Sequence, residues 1–227
     1  MNECSDTGTP GKKARIMIVE DHPIFRLGMK ELINQEDDLC VCGEADNITK
    51  GRNEIAVLQP DMVIVDISLK GRNGIELIRD ISRDYKGLPV LVLSMHDESL
   101  YAERAFHAGA RGYIMKASAS ESIVKAIRCV LSGKIYASET FMESILSKFT
   151  RGQPDKTKSC VDILTNREME VLQLIGEGFT SKQVAAKLSL SVKTISTYRE
   201  RIKEKLDLKN AAELMRYAVS WVRNGQV

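Results

Sequence analysis

The chain has 227 residues, 43% hydrophobic and 28% charged, and its 33 basic and 31 acidic side chains leave a formal net charge of +2. This length and balance exclude a disordered or fibrous chain and leave room for one mid-sized core plus a small second one, while so small a net charge means that any basic surface must come from local placement of Lys and Arg. The cysteines Cys4, Cys40, Cys42, Cys129 and Cys160 are odd in number and form no CxxC pair, which argues against a disulfide framework or a zinc site.

In chain order, residues 1–13 are polar, lack the apolar stretch of a signal peptide, and are expected to form a flexible arm. No later apolar run approaches the roughly 20 residues of a membrane span, so the expected location is the cytoplasm, with no membrane contact. From Arg15 onward, short β-branched apolar runs alternate with amphipathic stretches. Strands are expected at 16–19, 39–42, 62–65, 90–93 and 112–115, and helices over 25–33, 48–58, 75–81, 100–106 and 123–131. Five strand–helix units of this kind predict a doubly wound, flavodoxin-like α/β domain over 14–134, its strands apolar throughout because helices cover both faces of a parallel sheet. The rhythm stops near Ser132, Gly133 and Lys134. A linker is expected over 135–160, with one further helix possible at 139–149 and a polar stretch at 151–159 containing Gly152 and Pro154. Over 161–227 only helical patterns remain, at 166–175, 181–188, 192–206 and 211–221, which predicts a small all-α domain. Thr165 with Glu168 fits a capping box, Thr180 or Ser181 and Ser191 can cap the next two helices, and Gly176 and Gly178 mark the first helix's end.

In a doubly wound sheet, chemistry gathers beyond the carboxyl ends of the strands. Those ends carry Glu20 and Asp21, then Asp66, Ser94 and Lys116, so three carboxylates, a hydroxyl and an amine converge on one rim. Crowded carboxylates need a cation, and Mg²⁺, a hard oxygen-seeking ion, suits this donor set. Any one of these residues alone would be an ordinary turn former, helix cap or solvated charge; the argument rests on their occurring together at successive strand ends. His22, beside the acidic pair, is read as a helix-start residue without chemistry.

The segments Ile16-Met17-Ile18-Val19-Glu20-Asp21-His22, Val63-Ile64-Val65-Asp66-Ile67-Ser68-Leu69, Val92-Leu93-Ser94 and Gly112-Tyr113-Ile114-Met115-Lys116 resemble the receiver domain of two-component response regulators, over about residues 13–133. The resemblance implies that Asp66 is the phosphoacceptor, attacking a phosphohistidine of a histidine kinase. It implies that Glu20, Asp21, Asp66 and the backbone carbonyl of Ser68 hold Mg²⁺, and that Lys116 pairs with the phosphoryl oxygens. Ser94 then reports the product through its hydroxyl, and Tyr113 matches the switch aromatic that turns inward as the neighbouring loop moves. Lys70 stands where many receivers have proline, and Ala117 where some carry a cis-proline; Gly71 and Gly74 still permit a tight loop, so these departures bear on loop stiffness and acyl-phosphate lifetime.

The stretch from Leu164 to Leu206, with Gly176-Glu177-Gly178 and Val192-Lys193-Thr194-Ile195-Ser196-Thr197-Tyr198, resembles the LuxR-type helix-turn-helix. The two halves together resemble the NarL/FixJ family. At 100° per residue Ile195, Ile202 and Leu206 form one stripe with Tyr198 and Val192 at its margin, while Lys193, Ser196, Thr197, Glu200, Arg201 and Glu204 face away. On that face Ser196, Thr197, Glu200 and Arg201 can read base edges, with Lys193 and Thr194 near the helix start and Arg199 or Lys203 on phosphate. Glu200 must either accept from a cytosine amine or be held by an Arg such as Arg201. The resemblance implies promoter DNA as a partner and a homodimer when active, with the last helix a possible dimer contact.

Two other functions fit parts of this pattern. A phosphohydrolase also uses a strand-end Asp with Mg²⁺, but its general acid usually lies two residues on, where this chain has Ser68. A receiver that only dimerises would have lost pocket residues, and all are present here. The chain is therefore read as a phosphorylation-dependent transcription regulator and not an enzyme, beyond its own phosphoryl transfer and acyl-phosphate hydrolysis.

Overall fold

The computed structural model describes residues 13–69, 74–95, 98–150 and 164–224, and the chain divides into two compact units, Met1–Ser147 and Lys148–Val227. In the first unit, strands β1 (Ala14–Val19), β2 (Leu39–Ala45), β3 (Met62–Asp66), β4 (Val90–Ser94) and β5 (Gly112–Met115) alternate with helices α1 (Pro23–Asn34), α2 (Ile48–Leu58), α3 (Gly74–Asp84), α4 (Glu98–His107) and α5 (Ala119–Leu131). The strands form one parallel sheet in the order β2-β1-β3-β4-β5, so the strand order reverses between β1 and its neighbours. This is the doubly wound architecture expected from the βα rhythm, and β3 and β4 are buried at every residue because helices cover both faces.

On one face Ile16, Ile18, Ile64, Leu91, Leu93 and Ile114 pack against Ile33 of α1 and Ile123, Ile127 and Val130 of α5. Each fully buried aliphatic side chain of this kind contributes roughly 1.5–3 kcal/mol. The register carries functional information: Val19 pairs with Val65, Asp66 with Leu93 and Ser94 with Met115, so β1, β3, β4 and β5 end level with one another. The residues immediately beyond those ends therefore share one rim.

Two features were not visible in the sequence. The β1–β2 register slips between Ile16 and Met17, so Val41 and Gly43 are paired while Cys42 is skipped. At Gly43 a Cβ would lie 2.3 Å from Leu58 Cδ1 and 2.8 Å from Met17 Sδ, so a side chain there would have to push the ends of these two aside. Beyond α5, the chain turns back through Gly133 at φ +81°. Tyr136 lies parallel along β5, accepting from the Tyr113 N–H at 2.8 Å and donating its own N–H to the Arg111 carbonyl at 3.0 Å. Helix α6 (Glu139–Thr150) follows; the Ser138 N–H donates to Glu98 Oε1 at 3.0 Å, and Phe141 stacks on Phe106 of α4 at 5.6 Å between ring centroids.

The second unit comprises α7 (Asn166–Gly176), α8 (Ser181–Lys187), α9 (Val192–Lys205) and α10 (Ala211–Asn224) around Met169, Val171, Leu172, Ile175, Val184, Ile195, Ile202, Leu214 and Ala218. Thr165 and Glu168 form the expected capping box, Thr180 rather than Ser181 forms a second with Gln183, and Ser191 caps α9. Gly176 lets α7 and α10 meet closely, since a Cβ there would lie 2.4 Å from the Ala218 carbonyl oxygen; the turn out of α7 is made by Gly178 at φ +90°. No helix among the described residues is long and apolar enough to cross a membrane.

Candidate functional site

The level strand ends bring Glu20, Asp21, Asp66, Ser94 and Lys116 to one rim of the first unit, and all five are buried. Glu20, Asp21, His22 and Asp66 each offer a ligand atom, and these atoms lie within 4.8 Å of one another. The Lys116 ammonium stands among them, 2.6 Å from Glu20 Oε2 and 2.9 Å from Asp66 Oδ2. The Ser68 N–H donates to the other Asp66 oxygen, Oδ1, at 2.9 Å, so both oxygens of this carboxylate are oriented. Burial, and next the charge of Glu20, push the Asp66 carboxyl above the usual carboxylate range, while Lys116 and the Ser68 N–H pull it down.

Three carboxylates against one ammonium leave the pocket with a deficit of positive charge that a hard divalent cation would fill. The donors are all carboxylate oxygens apart from the His22 nitrogen, so the residues present fit Mg²⁺ by their chemistry. Ser68 is half-buried at the mouth of the pocket. Tyr113, the expected switch aromatic, has its ring buried at 1% exposure, and Ser94 is buried at the end of β4. At Gly74 a Cβ would lie 2.1 Å from the Asp66 carbonyl oxygen, so this glycine lets the start of α3 close against the end of β3. Lys70 and Gly71 lie outside the described residues; Ala117 sits in a single 3₁₀ turn running from Lys116 to Ser118.

Two neighbours of the pocket, Phe25 and Arg26, were missed in the sequence, and His22, read there as a helix-start residue, is the N-cap of α1. His22 Nδ1 is 2.9 Å from both Glu20 Oε1 and Asp21 Oδ1. The Arg26 guanidinium donates to the Glu20 carbonyl, and the Phe25 ring covers Lys116, with its centroid 4.9 Å from Nζ. Their common signal is position: all lie within six residues of Glu20, where the first turn of α1 leaves the rim.

In the second unit, α9 buries Ile195 and Ile202 and exposes Lys193, Ser196, Thr197, Glu200, Arg201 and Glu204. An open depression of about 310 Å³ at the start of α9 is lined by Ser191, Lys193, Thr194, Thr197, Tyr198 and Arg201. Six of the residues singled out in the sequence have partners within the fold. Thr194 joins the cap, with its Oγ1 2.8 Å from Ser191 Oγ. The half-buried Arg199 donates to Ser181 Oγ of α8 at 3.4 Å. Lys203 pairs with Glu200 at 2.8 Å, so the cation holding Glu200 is Lys203 and not Arg201. Ser196 and Thr197 donate their hydroxyl hydrogens back to the carbonyls of Val192 and Lys193, which leaves their oxygens able to accept.

Comparison with known proteins agrees with this geometry. Residues 16–128 match the family described as response regulator receiver domain, and residues 162–218 match the family described as bacterial regulatory proteins, luxR family. The oxygen regulatory protein NreC of Staphylococcus epidermidis is 33% identical over 210 residues, covering 90% of this chain and 96% of that protein. Among solved structures, a two-component response regulator of the LuxR family from Aurantimonas sp. is 34% identical with a TM-score of 0.57, covering 61% of this chain and 99% of the other. RcsB from Salmonella enterica serovar Typhimurium, bound to a promoter in the presence of a phosphomimetic, is 30% identical with a TM-score of 0.56, covering 92% of this chain and 100% of the other.

Proposed function

From the premise that the chain belongs to the two-component response regulators of the NarL/FixJ family, which join a receiver to a LuxR-type helix-turn-helix, we propose that Asp66 is its phosphoacceptor and that the exposed face of α9 reads promoter DNA. The protein is a DNA-binding response regulator whose control of transcription depends on phosphorylation. The observation that carries the assignment is Asp66 itself: fully buried at the end of β3, oriented at both oxygens by Ser68 and Lys116, and within 4.8 Å of the ligand atoms of Glu20 and Asp21.

An Asp66 oxygen attacks the phosphorus of a histidine kinase's phosphohistidine; the O–P bond forms, the N–P bond breaks, and the imidazole leaves as the neutral base on taking up a proton. Lys116 neutralises charge on the phosphoryl oxygens, and the Ser68 N–H keeps the carboxylate in the plane that presents it for attack. Glu20, Asp21, Asp66 and the Ser68 carbonyl would hold Mg²⁺, which supplies charge neutralisation shared between the carboxylates and the phosphoryl group. The Ser94 hydroxyl donates to the phosphoryl group once it is in place, and Tyr113 secures the conformation that results. The same pocket permits slow hydrolysis of the acyl phosphate. The phosphorylated form favours pairing of two chains, which multiplies the affinity of two helix-turn-helix units for adjacent half-sites. On α9, Ser196, Thr197, Glu200 and Arg201 read bases, with Lys193 and Thr194 at the helix start. Arg199 and Lys203 reach phosphate from the flanks, and the regulator works in the cytoplasm.

The test is binding to a pool of genomic fragments with and without beryllofluoride and Mg²⁺. Tighter binding with the mimic in the wild-type chain, and none of that gain in Asp66→Asn, is expected. Binding indifferent to the mimic would retain DNA recognition and overturn the phosphorylation switch.

A further inference from the structure

We propose that Phe25 is a positioning residue of the phosphoryl site, holding the Lys116 ammonium over the strand ends through the face of its ring. The inference rests on the reading of Asp66 as phosphoacceptor and adds a residue to that machinery. Lys116 is an ammonium with three N–H donors and almost no exposure. Two of its directions are occupied by carboxylates, Glu20 Oε2 at 2.6 Å and Asp66 Oδ2 at 2.9 Å. Nζ also lies over the ring of Phe25, 4.9 Å from its centroid, within the distance at which an aromatic face attracts a cation.

The ring itself is fixed. Phe25 is in the first turn of α1, two residues after Pro23, and is half-buried against the core beneath the sheet. The other two partners of Lys116 belong to the proposed reaction, since Asp66 takes the phosphoryl group and Glu20 faces the metal. Either can change its demand on the ammonium during turnover, whereas the ring cannot. Phe25 thus holds Lys116 in place while its ionic partners change, and covers the ammonium from the side of α1.

The full-length chain tests this with an isosteric series. Phenylalanine bearing one, two or three fluorines is placed at position 25, and the dissociation constant for beryllofluoride is measured at fixed Mg²⁺. Each fluorine drains the negative face of the ring without changing its packing, so affinity should fall stepwise. Phe25→Leu, which keeps bulk and loses the face, should weaken binding roughly threefold to thirtyfold, and Phe25→Tyr should restore it to within about twofold. A second readout uses no phosphate mimic: the ¹⁵N resonance of the Lys116 ammonium in the metal-free chain should move along the same series. A flat series in both readouts would overturn the proposal and leave Phe25 a space-filling residue, and because the series is isosteric that result holds even if Phe25→Leu folds poorly. Failure of the underlying reading looks different: Asp66→Asn, with Phe25 intact, would bind beryllofluoride as the wild type does.

Discussion

Replacing Lys116 by Met keeps the unbranched apolar stem of the side chain and removes its ammonium group. In the metal-free chain three buried carboxylates share that one ammonium, at 2.6 Å from Glu20 and 2.9 Å from Asp66. Removing one member of a buried ion pair leaves an uncompensated charge and costs about 3–5 kcal/mol. With a urea slope of roughly 2 kcal/mol/M, the midpoint for the first unit should fall by about 2 M in chelator. The single tryptophan, Trp221, lies in the second unit, so the first unit is best followed by exchange of its strand amides. Adding Mg²⁺ should recover more stability in Lys116→Met than in the wild type, because the variant's pocket carries the larger deficit of positive charge. A Lys116→Met chain as stable as the wild type in chelator would refute the premise that this ammonium neutralises the pocket.

Three further outcomes follow from the same geometry. The Asp66 carboxyl is held above its ordinary value by burial and by Glu20, so the native state keeps its proton at pH values where the unfolded chain has lost it. Stability is therefore lost as pH rises through that raised value, and Asp66→Asn, which cannot ionise, should be more stable than the wild type at pH 7 with the gap closing in acid, measured by urea unfolding in chelator. For Glu168, burial alone would raise the carboxyl, but Lys205 and Thr165 outweigh it and hold it below the usual range. Its contribution is then present above the ordinary carboxylate value and lost as pH falls through the lowered one; Glu168→Ala should cost the second unit about 2–3 kcal/mol by Trp221 fluorescence, and Glu168→Gln, which can keep the capping box, about 1 kcal/mol. Thr197→Ala combined with Arg201→Ala should weaken specific DNA binding by roughly 1–3 kcal/mol per lost base contact and non-specific binding far less; equal loss on both would mean that these side chains touch only the backbone.

The strands and helices were legible because each carries its own period, as with the unbroken apolar run from Met62 to Val65 or the stripe of Ile195 and Ile202. The acidic rim was legible for a topological reason, since strand ends in a parallel sheet must face one way. What escaped the sequence depends on contacts between distant residues or on side-chain direction. Cys42 gives no sign that it will be skipped in the β1–β2 register, and the approach of Leu58 and Met17 to Gly43 exists only once distant segments meet. Phe25 reads as one more apolar position of α1 until β5 brings Lys116 beneath it. The tie of Arg199 to Ser181 follows from where α8 stands, which a helical wheel of α9 alone cannot show, whereas the Lys203–Glu200 pair is an i,i+3 neighbour on α9 itself.

The return of the chain along β5 has a consequence for how this protein can be divided. Tyr136 uses the N–H of Tyr113 and the carbonyl of Arg111, groups that would otherwise line an open sheet edge. An open edge is a template for strand addition by another chain. A fragment ending at Lys134 would keep every residue of the acidic pocket and yet expose that template, so its self-association would come from the cut and not from phosphorylation. A fragment carried through Phe141 keeps its own cover, and any pairing it shows with beryllofluoride can be credited to the switch.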